Sequence, residues 1–101
     1  MNQSPDFTLL TDQLSRARHE LGKGTANWVA EMVAECWQAN ADQGPHQAKW
    51  TALALLYQAA KTRQTGATVL ADVFSGCAEA CLLGWSQEIQ VQTEVTELDR
   101  I

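Results

Sequence analysis

The chain has 101 residues and a mass of 11.1 kDa, which is enough for one domain of ordinary size. Apolar residues make up 46% and charged residues 19% of it, a balance typical of folded globular proteins and unlike that of disordered chains. Twelve acidic against seven basic residues give a formal net charge of -5. A negative net charge disfavours electrostatic contact with the phosphates of nucleic acid, so we expect no direct nucleic-acid binding.

The first helix is predicted to begin at Ser4, where a capping hydroxyl precedes Pro5 and an acid in the first turn. A narrow apolar seam follows over residues 7–21. The glycine pair at residues 22–24 is expected to end this helix, and Thr25 to cap the next one. In the second helix Trp28 and Trp37 lie at opposite edges of a wide apolar arc, where an indole can reach water or a partner.

The third helix is predicted over residues 46–63, after a loop that ends at Pro45. It has a larger apolar face and a smaller, alanine-rich face with Leu55 at its middle; the larger one comprises Trp50, Leu53, Leu56, Tyr57 and Ala60. Such a helix either lies centrally in the fold or offers the alanine-rich face to another chain. The second option makes Leu55 a candidate contact residue.

The fourth helix is predicted to follow a turn at Gly66, with Thr68 as its cap, although the third and fourth helices could fuse there. Three small residues four apart, Gly76, Ala80 and Gly84, predict a close approach of another backbone. The apolar window over residues 67–85 is interrupted by acidic residues on one helical face. We therefore expect an amphipathic helix and no membrane span.

The last residues differ in kind because residues 87–96 alternate polar with β-branched or apolar positions. They could continue the helix, fray, or form a strand that pairs with another molecule; we favour a loosely held tail that is available to a partner. The sequence thus predicts an all-α fold, a small bundle of about four helices over residues 1–86. It also predicts an acidic C-terminal tail over residues 87–101, with a strand as one of its alternatives.

Three cysteines, Cys36, Cys77 and Cys81, are the sharpest candidates for chemistry, since two lie four apart on one helix and the third is central in the apolar arc of another. They could converge on a soft metal. We favour a plain core role because buried free cysteine behaves as a small hydrophobe and only one short cysteine pair exists. An odd cysteine count fits a reducing, cytoplasmic compartment, and no cofactor is expected.

The sequence carries no catalytic motif and no phosphate-binding glycine loop. We therefore expect a non-enzymatic protein-binding module, an adaptor, inhibitor or specialised chaperone that regulates or sequesters a protein partner and forms a homodimer. Two alternatives remain: a thiol or metal protein using the three cysteines, and an acidic inhibitor that occupies the nucleic-acid-binding site of a partner. The candidate contact residues are Leu55, Trp85, Trp37, Lys61, Arg63, Val91 and Val95.

Overall fold

The computed structural model describes residues 6–99 of the chain, and the surroundings of side chains are described for residues 6–84. Within this range the chain forms four α-helices, a short 3-10 helix and no strand, which confirms the predicted all-α bundle. The helices are α1 (Phe7–Leu21), α2 (Lys23–Ala39), α3 (Gln47–Gln64) and α4 (Thr68–Asp99), with the 3-10 helix at Ala41–His46 between α2 and α3.

The helices form a closed ring in which each one packs against its neighbours in sequence and α4 packs against α1. The start of α1 lies beside the middle of α4, where the backbone N–H of Asp6 donates to the carbonyl oxygen of Ala80 at 2.9 Å. Phe7 and Trp37, from the start of α1 and the end of α2, line one groove. Neighbouring helices are therefore antiparallel, as short connections between packed helices require.

The first two helices are separated by a single residue, Gly22, whose φ of 95° is in the left-handed region that glycine tolerates. The side chain of Asp6 caps α1 by accepting from the backbone N–H of Leu9 at 3.1 Å. Asp6 thus takes the capping role that the sequence assigned to Ser4, which lies outside the described residues. The predicted cap at Thr25 is wrong because α2 already begins at Lys23.

The third and fourth helices are separate, since Gly66 adopts a φ of 87° between them. The segment predicted as a loop before α3 is wound into the 3-10 helix, with Gly44 at a φ of 57° inside it. The side-chain amide of Gln47 closes this connection by donating to the carbonyl oxygen of Trp37 at 2.7 Å. One of the carbonyls at the end of α2 is satisfied in this way.

The core is centred on Phe74 of α4, which is fully buried. The ring of Trp28 packs edge-on against it from α2, with the ring centroids 5.6 Å apart and the planes at 82°, a favoured geometry for an aromatic pair. Trp28 itself stays partly exposed at the edge of its arc, as the sequence predicted. The other large, fully buried side chains are Leu55, Val29, Val73, Thr51, Cys77 and Cys81.

Small residues on α4 allow α1 to approach closely. The sequence predicts such an approach at Gly76, Ala80 and Gly84, and contacts with α1 are described at the first two. A Cβ atom added to Gly76 would collide with the side chain of Gln13, and Ala80 is fully buried, with its carbonyl oxygen accepting from the backbone N–H of the α1 cap Asp6. Only hydrogen or methyl side chains fit between two backbones this close.

The fourth helix continues to Asp99, so the backbone of residues 87–99 has the helical form, one of the three forms that the sequence left open. The side chains of this part lie outside those described. Among the described residues, no helix combines the length and the apolar character that crossing a membrane demands.

Candidate protein-binding surface

The larger apolar face of α3 would be expected in the core on size alone, but the structure has it on the outside. The alanine-rich face enters the bundle, and Leu55 at its middle is fully buried. The prediction that Leu55 contacts a partner is therefore wrong. The buried residues of α3 are Ala48, Thr51, Ala52, Leu55 and Ala59.

The physical reason is the close packing of α3 on α4. Alanines at residues 48, 52 and 59 of α3 are buried, as are small residues of α4 such as Ala71 and Ala78, and α3 packs more extensively on α4 than on any other helix. Small side chains let two helices approach closely and leave no room for indole or phenol rings. The one polar group on this face, the Thr51 hydroxyl, is satisfied because it donates to the carbonyl oxygen of Gln47 at 2.7 Å.

The large apolar side chains of α3 consequently lie outside. Trp50, Leu53, Leu56 and Tyr57 are 46, 45, 40 and 63% exposed, respectively. We call these four residues the α3 ridge. Because the opposite side of the helix is buried, α3 cannot rotate to hide the ridge without exposing the core.

Two lysines extend over the aromatic rings of the α3 ridge. The ammonium nitrogen of Lys49 lies 5.7 Å from the ring centroid of Trp50, and that of Lys61 lies 5.4 Å from the ring centroid of Tyr57. Both distances are within the range of a cation–π contact. The exposed surface of α3 is thus apolar along its middle and positively charged at both ends.

A second apolar surface is the groove between α1 and α2, which we call the α1–α2 groove. Its volume is about 240 Å³, below the roughly 300–1,000 Å³ typical of small-molecule sites. This size suits inserted side chains better than a substrate. The lining residues are Phe7, Leu10, Leu14, Ala30, Val33, Ala34, Trp37 and Gln38.

The other predicted contact residues are spread over the bundle. Trp37 is half-buried in the α1–α2 groove, whereas Lys61 lies at the end of the α3 ridge. Arg63 is exposed and its guanidinium donates to the carboxylate of Asp72 at 3.1 Å, so it closes the α3–α4 turn. The side chains of Trp85, Val91 and Val95 lie outside the described part of the chain.

The three cysteines lie within one region of the core, as the sequence allowed. Burial raises the pKa of Cys77 to about 12 and that of Cys81 to about 11, so both thiols stay protonated and weakly nucleophilic near neutral pH. Burial, followed by the nearby Glu35, also raises the pKa of the half-buried Cys36. In the described part of the chain, no group of three or more His, Cys, Asp or Glu side chains has the geometry to hold a metal ion.

The surface that sequence reasoning missed is the α3 ridge. The sequence identifies its members as the larger apolar face of α3, but it does not predict that this face is exposed. One signal was present: two aromatic residues of this face have a lysine one or four residues away, and α3 contains no acidic residue. Tryptophan and tyrosine beside cations are typical of exposed contact surfaces.

Comparison with known proteins adds no relative: no family model, no curated protein and no solved structure matches this chain.

Proposed function

We propose that this chain is a non-enzymatic protein-binding module whose contact surface is the α3 ridge. It would act as an adaptor, inhibitor or specialised chaperone by covering an apolar surface of a protein partner. The observation that carries the proposal is the exposure of four large apolar side chains on one helix. Clustered apolar patches of this kind are rare on soluble monomers unless they bind something.

The composition of the ridge supports binding to protein more than to a small molecule. Tryptophan and tyrosine are enriched among residues that dominate binding energy in protein interfaces, because they bury much area with few rotatable bonds. The ridge is convex and presents side chains outward, whereas small-molecule sites are concave. Its lysines would add orientation through charge.

The sequence predicts a homodimer, and self-association is part of the proposal. Its contact surface is the α3 ridge and no longer Leu55. We also propose a cytoplasmic location. The three cysteines carry free thiols in the described structure, and free thiols suit a reducing compartment.

The proposal is tested by photo-crosslinking in the native cell from a benzoylphenylalanine at position 57, which replaces the most exposed aromatic residue of the ridge. We expect a crosslinked protein whose yield falls at least severalfold when Leu53→Asp is added. Leu83→Asp is the matched control, because Leu83 is a similarly exposed leucine on α4. Absence of any crosslinked protein, or equal yields with the two aspartate variants, would contradict the proposal.

A further inference from the structure

We propose that the α3 ridge of one copy docks into the α1–α2 groove of a second copy, in a head-to-tail contact. This inference rests on the proposed function, because it names an occupant for the same contact surface. It adds that the bundle has two different, complementary surfaces, so that self-association hides the ridge from other partners.

Shape is the first support. The ridge runs from Trp50 to Tyr57, and the α1 wall of the groove runs from Phe7 to Leu14. Both segments cover the same number of residues and extend about 10 Å at the helical rise of 1.5 Å per residue. A row of projecting apolar side chains therefore meets an apolar groove of equal length.

Charge is the second support. Lys49 and Lys61 are exposed at the two ends of the ridge, and no acidic residue lies between Asp42 and Asp72. On α2, Glu31 and Glu35 are exposed next to the groove residues Ala30 and Ala34. The basic ridge is therefore matched to a groove with an acidic border.

The same charges disfavour the simplest symmetric dimer. If two α3 ridges faced each other, lysines would meet lysines with no carboxylate on either helix to compensate. A ridge facing a groove brings opposite charges together instead. The second copy is thus expected to offer its α1–α2 groove and not its own ridge.

The position of the two surfaces sets the kind of assembly. The groove lies between α1 and α2, while the ridge lies on the outer side of α3, which is diagonal to α1 in the ring of helices. A single head-to-tail contact between two copies leaves one ridge and one groove open. Such contacts either close into a ring or extend further.

The test measures the mass of the purified full chain by light scattering over a range of concentrations. For the wild type we expect the mass to rise with concentration to at least twice the single-chain value of 11.1 kDa. Two charge-reversed variants, Lys49→Glu with Lys61→Glu and Glu31→Lys with Glu35→Lys, should each associate at least about tenfold more weakly, because like charges then face each other. All four substituted positions are exposed, so the fold should persist, as circular dichroism checks.

Mixing the two variants is the decisive step. Each reversed ridge then meets a groove of opposite charge on the other variant, and the wild-type mass should return. A wild type that stays at the single-chain mass, or a mixture that stays monomeric, would overturn the inference. Loss of association on deleting residues 87–101, with the charge-reversed variants unaffected, would overturn it in favour of the tail. If the wild type is monomeric but position 57 still crosslinks to another protein, this inference fails and the proposed function stands.

Discussion

Leu53 and Leu55 provide a matched pair that tests the orientation of α3 directly. They are the same residue type on the same helix, yet Leu55 is fully buried and Leu53 is 45% exposed. Truncating each to alanine changes helix propensity by little and equally. The difference in the free energy of unfolding between the two variants therefore reports which side of α3 lies in the core.

The expected magnitudes follow from burial. Removing a fully buried leucine side chain costs about 2–5 kcal/mol, the sum of lost transfer free energy and the cavity left behind. Complete burial of a leucine is worth about 1.5–3 kcal/mol, and Leu53 is only partly buried, so Leu53→Ala should cost about 1 kcal/mol or less. For a bundle with a typical stability of about 5–15 kcal/mol, the first loss is large and the second is small.

Urea titration followed by circular dichroism and tryptophan fluorescence would give both values for purified protein. The concentration should be low enough that self-association does not contribute to stability. We expect a clear fall in the urea midpoint for Leu55→Ala and a small one for Leu53→Ala, with unchanged slopes. Equal costs, or a larger cost at Leu53, would refute the assignment of the ridge as an outer surface.

Four further predictions concern packing, thiols and surface charge. Gly76→Leu should destabilise the fold by about 1–3 kcal/mol because a side chain there collides with the side chain of Gln13 of α1, whereas Gly24→Leu, with nothing near its added Cβ, should be neutral or stabilising in thermal melts. The pKa of Cys77 is raised from 9.0 to about 12; the unfolded chain therefore releases this proton first, and stability should fall as pH rises from about 9 to 12, less so in Cys77→Val. Iodoacetamide mapped by mass spectrometry should label Cys36 before Cys77, and the reverse order would contradict the burial. Asp72→Asn should lower stability by less than about 1 kcal/mol in urea titration, because both of its arginine contacts are exposed; a larger loss would show that these contacts are screened less than their exposure implies.

Much of the architecture could be predicted from the sequence because helix boundaries depend on local chemistry. Glycine in the sequence predicts the end of α1 at Gly22 and a turn at Gly66, with fusion of the third and fourth helices left open there, and both residues have a positive φ. The cap of α1 is Asp6, two residues after the predicted Ser4, because several residue types that can cap a helix occur together there. Local signals locate a helix end better than they identify its cap.

The candidate surface could not be predicted because it depends on how closely two helices pack. Periodicity shows that α3 has two apolar faces, but not which of them enters the core. Small residues on both helices decide which face enters the core, since Ala52 of α3 and Ala78 of α4 are each fully buried in the same cluster of core residues. Assigning the outer face from the sequence would have required knowing that α4 lies against α3 with a matching row of small residues.

The hydrogen bond between Asp6 and Ala80 bears on the order in which the bundle forms. The contacts of α1 with α2, and of α3 with α4, join segments separated by at most a few connecting residues, so closing those loops costs little chain entropy. The bond from Asp6 to Ala80 instead joins positions separated by most of the described chain. Two helical hairpins can therefore form early and quickly. The docking of α1 on α4, which encloses Phe74, carries the largest entropic cost and is the step on which the cooperativity of the whole bundle depends.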